Sequence, residues 1–309
     1  MAGSDPIRPN RLRLVRWTAV AVVVTLSPAG SLRAQVASRV AAPSSAGMDS
    51  ARAGEWTLTV DGALAHPTGW VQVRENAIVG TRLSLGPDLG VRAASTVRAT
   101  LGIPVGAGAL RVAIAGTALL GRVLLPDSIH FNGSTLAPGT MLKTRTEPGD
   151  FLRVVIAYER RLARVGQEGA LDVSAGLDAT LLNFRLQGTL APASVGHETK
   201  EDFVTQELPA PFLGAELRLP LARRLGLDFA ADGGGLPWVS SFRYEGGLVS
   251  LTQRRLDGQA DIDVALASHL RAGVGVQYTD FRQNEQSHED GNQFEQSSLG
   301  GVLRMRWAF

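Results

Sequence analysis

The chain contains no cysteine, so disulfides, thiolate metal ligands and a lipid anchor on an N-terminal cysteine are excluded. Lysine is almost absent: Lys143 and Lys200 are the only two, and arginine carries the remaining positive charge. There is also no apolar run of membrane-helix length. The longest, Trp17 to Leu26, has ten residues and is followed by Pro28, whereas a helix needs about 20 to cross a hydrocarbon core of about 30 Å.

The short apolar run reads as the core of a signal peptide. Arg8, Arg11, Arg13 and Arg16 precede it, and Ser31-Leu-Arg-Ala34 offers a small residue for cleavage before Gln35. On that reading residues 1–34 are a cleaved leader and the chain is exported. The leader holds five arginines and Asp5, so its removal takes the formal charge from +2 to −2. The basic character of the sequence belongs to the leader, and no nucleic-acid partner is inferred from it. Residues 35–54, rich in Ala, Ser and Gly without periodicity, read as a flexible periplasmic lead-in. Residues 55–309 remain as one domain.

From Trp56 onward, segments of about ten residues alternate apolar and polar, the period of a strand with two unlike faces. Trp56, Leu58 and Val60 alternate with Thr57, Thr59 and Asp61, and Leu152, Val154, Ile156 and Tyr158 alternate with Arg153, Val155, Ala157 and Glu159. Leu171 to Ala179 alternate with Asp172, Ser174, Gly176 and Asp178, and Ala260, Ile262 and Val264 alternate with Gln259, Asp261 and Asp263. Ten such segments are present. Their connections alternate long and short. The joins Pro104–Gly108, Leu162–Gly169, Pro220–Arg224 and Ala267–His269 are short, and those at His66–Ala93, Leu124–Gly149, Gly188–Thr205, Gly234–Val249 and Arg282–Asn292 are long. Two further hairpins are possible, Trp70–Arg74 with Ile78–Leu85, and Ser128–Phe131 with Thr140–Thr146 around Asn132-Gly133. The fold expected is all-β, a closed antiparallel transmembrane barrel of ten strands, with eight or twelve as the alternatives. Closure follows because an open sheet edge in lipid leaves backbone groups unpaired.

The last segment carries a resemblance. Phe309, Trp307, Met305 and Leu303 share one face, while Arg304 and Arg306 lie on the other. This alternation ending on a terminal Phe resembles the closing strand of bacterial outer-membrane β-barrel proteins, of the small OmpA- or OmpW-like kind with no subfamily assigned. The resemblance implies outer-membrane residence in a Gram-negative envelope, with Leu303, Met305, Trp307 and Phe309 as an insertion signal. It implies outer-membrane lipids and lipopolysaccharide, the barrel-assembly machinery and periplasmic chaperones as partners.

The inward faces collect Asp61, Glu159, Asp172, Asp178, Glu216, Asp228, Asp232, Asp257, Asp261 and Asp263 against Arg98, Arg111, Arg153, Arg218, Arg271, Arg304 and Arg306. A barrel near this size is filled by its own side chains, so these charges are expected to pair with one another and fix the lumen. The other reading is a slightly acidic, weakly cation-preferring conduit or small-ligand site. The five histidines, His66, His130, His197, His269 and His288, are assigned to loops or a turn; His197-Glu198 and His288-Glu289-Asp290 place imidazole beside carboxylate. No pattern of a barrel protease or lipid-deacylating enzyme is found, and no cofactor or metal is expected. The function expected is non-enzymatic: envelope structure, surface interaction or limited, porin-like passage of small solutes. The alternative is a rim-sited hydrolase acting on lipid A, phospholipid or peptides.

Overall fold

The computed structural model describes residues 55–75, 78–146, 148–166, 168–189, 197–205, 208–244, 248–288 and 290–309. The leader assigned to residues 1–34 and the lead-in at residues 35–54 lie outside them. In chain order the strands are β1 (Thr57–Glu75), β2 (Ile78–Val79), β3 (Leu83–Ser84), β4 (Val91–Val105) and β5 (Gly108–Leu124). Next come β6 (Ile129–Phe131), β7 (Ser134–Leu136), β8 (Met141–Thr146), β9 (Phe151–Val165) and β10 (Gly169–Thr189). The chain ends with β11 (His197–Thr205), β12 (Ala210–Ala222), β13 (Leu225–Tyr244), β14 (Leu248–Ala267), β15 (Leu270–Gln286) and β16 (Asp290–Ala308).

Ten of these form a closed wall. Antiparallel ladders run β1–β4–β5–β9–β10–β12–β13–β14–β15–β16, and β16 pairs back onto β1 from Thr57↔Ala308 to Glu75↔Asp290. The ten strands are those read from the alternation, so the expected count of ten holds, and each of the ten is paired on both sides. The short connections gather at one end with the start of β1 and the end of β16, where Phe309 N donates to Trp56 O at 2.9 Å. The long connections gather at the other.

The wall is taller than the ten-residue segments implied. β8 sits between β5 and β10 above β9, and β11 pairs with β10 above β12, so each prolongs a wall strand past a break. His66 accordingly lies inside β1 rather than in a loop. The second expected hairpin is also redrawn. Asn132 (φ 46°) and Gly133 (φ 64°) make a tight turn joining β6 to β7, not to Thr140–Thr146, which belongs to the wall as β8. Two consecutive positive-φ residues match the twist of a two-residue hairpin, and Asn-Gly adopts them at least cost.

Which face is apolar depends on height along the wall. In the lower part the outward side chains are greasy and uncovered: Leu64, Val97, Ile114, Ile156, Leu177, Leu213, Phe229, Ile262, Val274, Leu299 and Leu303 are all exposed, Leu213 by 70% and Leu303 by 67%. On β10 this belt runs from Leu171 to Leu181. Ten residue steps at about 3.3 Å, tilted by about 40°, give about 25 Å, the height of the apolar band on membrane barrels. Above the belt the pattern inverts. On β15, outward Val274, Val276 and Tyr278 give way to Asp280 and Arg282, while inward Gln277 and Thr279 give way to Phe281. On β16, outward Leu299 gives way to Ser297 and Glu295, while inward Ser298 and Gln296 give way to Phe294. The strand period never changes; the solvent does. An apolar outer face is what lipid favours, and apolar residues turned inward above it are what water favours in an ordinary protein core.

The belt makes a direct prediction. Ile262→Arg, near mid-height on β14 with its side chain half exposed, is expected to cost about 2–4 kcal/mol of stability in a bilayer. Ile262→Leu is expected to be neutral. Urea midpoints of the protein folded into phospholipid vesicles measure both.

Candidate functional site

The lower lumen holds the charges. Each inward strand contributes them at two-residue spacing, so one face of β14 alone supplies Arg255, Asp257, Gln259, Asp261 and Asp263. Arg153 on β9 reaches three carboxylates: Asp178 at 2.8 Å, Asp257 at 2.8 Å and Asp232 at 3.0 Å. β9 and β14 stand nearly opposite in the ring, so the Arg153–Asp257 bond spans the lumen. Asp257 also accepts from Arg255 at 2.7 Å and from Thr279 Oγ1 at 2.7 Å.

Below Arg153 lies a closed circuit. Asp61 accepts from Arg98 at 3.0 Å and Arg304 at 2.8 Å, and Arg304 also donates to Asp261 at 2.8 Å. Gln259 donates to Asp261 at 2.8 Å and accepts from Arg98 at 3.0 Å, completing it. A third group reaches across the barrel through Glu216, which meets Arg306 at 3.3 Å, Arg111 at 3.5 Å and Arg218 at 3.7 Å. Arg111 also bonds Glu159 at 2.6 Å, Arg306 reaches Asp228 at 3.7 Å, Arg218 and Arg161 both bond Asp172, and Arg271 bonds Asp263. All seventeen residues assigned to the lumen network lie in these groups, with partners at ion-pair distance.

Two arginines were missed in the sequence, Arg161 and Arg255. Arg255 shares the inward parity of Asp257 and lies one step above it. Arg161 continues the inward parity of Arg153, Val155, Ala157 and Glu159 one step further down β9, opposite Asp172, just before the bulge at Leu162. With them, ten acids face nine arginines among the described residues, so the excess of acid that suggested a cation-preferring conduit nearly vanishes. A cavity of about 110 Å³ lies among them, lined by Asp61, Arg98, Arg111, Glu159, Glu216 and Arg304 together with the small residues Ala113, Ala115, Ser174 and Gly214. It is polar and large enough for several water molecules.

A greasy layer covers this network. Phe151, Phe281, Phe294, Phe184 and Phe131 form a connected set with ring centroids 5.7 to 6.3 Å apart. Leu83, Leu85 and Leu89, from the segment between β2 and β4, are buried among them with Val71, Leu119, Leu142, Leu182 and Leu186. The guanidinium of Arg255 lies 5.4 Å from the Phe281 ring and marks the boundary between the layers.

The histidines are dispersed. His66 Nδ1 lies 3.2 Å from the Arg92 carbonyl, His130 Nδ1 lies 2.8 Å from Thr135 Oγ1 in the β6–β7 hairpin, and His288 is exposed beside β16. His269 sits in the short turn between β14 and β15, and Glu198 and Glu289 have side chains outside the described set. On the terminal strand, Leu303 and Phe309 face outward and exposed, Met305 and Trp307 share that face, and Arg304 and Arg306 point to the axis.

The sequence matches no protein-family model and no curated protein. Among solved structures the chain is similar to the outer membrane protease OmpT from Escherichia coli, at 12% identity and a TM-score of 0.46 over 86% of this chain and 100% of that one. It is also similar to the translocator domain of the autotransporter NalP from Neisseria meningitidis, at 13% identity and a TM-score of 0.38 over 83% and 88%. A third is neisserial surface protein A, at 11% identity and a TM-score of 0.28 over 81% and 95%.

Proposed function

We propose that the chain is a non-enzymatic outer-membrane barrel that stays closed to solutes, serving envelope structure at the belt and surface interaction at its tall outer collar. One observation carries the reading: the phenylalanine and leucine layer lies across the lumen above a network that is itself cross-linked by ion pairs. A hydrated ion entering from the collar side meets packed aromatic rings, and the pairs below bound a small polar cavity. Porin-like passage is the weaker part of the sequence expectation. The lumen carboxylates are engaged by arginine, which suits structural pairing better than proton transfer. Export by a cleaved leader, insertion through the terminal Leu303–Phe309 face, and contact with assembly factors, chaperones and lipopolysaccharide belong to the same proposal.

Planar-bilayer recording tests it. The native protein is expected to show no discrete conductance steps, and the Phe281→Ala/Phe294→Ala double variant is expected to gain intermittent ones. Stable steps from the native protein would overturn the closed-lumen reading, as would hydrolysis of lipid or peptide that is lost on His288→Ala.

A further inference from the structure

At the short-turn end, positive charge is gathered on one side of the barrel. The lower tip of β9 and the turn between β12 and β13 present Arg160, Arg164, Arg223 and Arg224, all exposed, with Arg164, opposite Ala170, on the lumen side of the rim and the other three available outside it. β9, β10, β12 and β13 are consecutive neighbours in the wall, so the four occupy one sector. None of the four forms an ion pair among the described residues, in contrast to the lumen arginines above. Glu168, exposed in the intervening turn, is the one acid among them, since Asp172 is taken by Arg161 and Arg218. The other turns at this end, Val105–Gly108 and Ala267–Leu270, carry no arginine or lysine.

Leu162, Val165 and Leu221 are interleaved with the arginines and exposed by 65%, 37% and 57%. Leu162 is the extra residue of the β9 bulge, pushed outside the ladder where a polar residue would be expected in water. Arg160 faces the same way as Ile156 and Tyr158, one step beyond the belt. From that height a long side chain reaches the phosphate layer while its alkyl stem stays against acyl chains.

We infer that this sector, made by Arg160, Arg223 and Arg224 with Leu162 and Leu221, binds the phosphodiester headgroups of anionic glycerophospholipids in the leaflet at the short-turn end. The inference rests on the membrane residence proposed above. Apolar side chains between unpaired guanidiniums fit a surface half in lipid, where the leucines are covered and the arginines meet fixed anions. A soluble acidic partner would satisfy the arginines but leave no reason for Leu162 and Leu221 at belt depth.

The test is native mass spectrometry of the full chain reconstituted with equal phosphatidylglycerol and phosphatidylcholine. The native protein is expected to retain phosphatidylglycerol preferentially, and Arg160→Gln/Arg224→Gln is expected to reduce that preference by about fivefold per arginine. Arg92→Gln/Arg122→Gln, at the opposite end, is expected to leave it unchanged. Equal retention of both lipids by the native protein overturns the inference, as does an undiminished preference in the Arg160/Arg224 variant. Because the native protein carries the first comparison, misfolding of a variant does not shelter the idea. Failure to reconstitute at all counts against the membrane reading itself, whereas reconstitution without lipid preference counts against this sector alone. Capture of polyglutamate by the native protein in purely zwitterionic discs, without lipid preference, also overturns it.

Discussion

Arg153→Met is expected to destabilise the barrel by about 3–5 kcal/mol, the usual cost of stranding buried charge when one partner of a pair is removed. Three carboxylates, Asp178, Asp232 and Asp257, bond this single guanidinium at 2.8 to 3.0 Å, and Arg153 is only 8% exposed. Methionine matches much of the volume but leaves three anions facing one another, with Arg255 still bound to Asp257. The damage is therefore electrostatic, and it is expected to be repaired electrostatically. Adding Asp178→Asn and Asp232→Asn to Arg153→Met should recover more than half of the lost stability, because neutral amides remove the repulsion without refilling any space. Urea unfolding in micelles, followed by heat-dependent mobility on a gel, measures the set. A triple variant no more stable than the single would show that Arg153 acts by packing.

Phe184→Ala is expected to cost about 3–5 kcal/mol by a different route, the loss of buried apolar contact plus the cavity left behind. The ring is fully buried and lies 6.3 Å from Phe131 and 6.1 Å from Phe294. Its removal should loosen the layer that Leu85 and Leu89 complete, so hydrogen exchange at residues 83–91 should accelerate while exchange in the lower wall stays slow. Uniform acceleration along the whole chain would mean that the layer is not a separable structural unit. The contrast between the two variants is informative in itself: carboxylate replacement should rescue Arg153→Met and do nothing for Phe184→Ala.

Much of the fold was legible because a strand in a barrel wall repeats one simple rule every two residues. Leu303, Met305 and Trp307 against Arg304 and Arg306 state that rule in a single segment. The rhythm of long and short joins supplied the even count. The lumen groups followed from the same parity. What stayed hidden was the height of the wall, and the reason is physical. The rule was read as apolar outside, polar inside, and each strand was ended where the rule failed. Phe281 and Phe294 lie past that point, where water replaces lipid and the apolar side chains turn to the axis, so the break in pattern marked the edge of the bilayer and not the end of the strand. Tyr278-Thr279-Asp280-Phe281 contains the whole inversion in four residues. Arg255 was lost for the same reason. Arg161 was lost because the alternating stretch was ended at Glu159, one step short of it, where Arg160, Arg161 and Leu162 break the contrast between the two faces. The exchange of β7 for β8 as hairpin partner reflects loop length: Asn132-Gly133 favours the shortest return, and Ser134–Leu136 is nearer.

The account depends most on where the two faces exchange polarity, and the absence of native cysteine makes that position directly measurable. Nitroxide labels on Val276→Cys and Arg282→Cys, both outward on β15 but on opposite sides of the exchange, can be compared in vesicles for collision with oxygen dissolved in lipid and with a water-soluble nickel chelate. Oxygen should dominate at position 276 and the chelate at position 282. If both labels met the chelate equally the belt would not be in lipid, and if both met oxygen the aromatic layer would lie within the bilayer rather than above it.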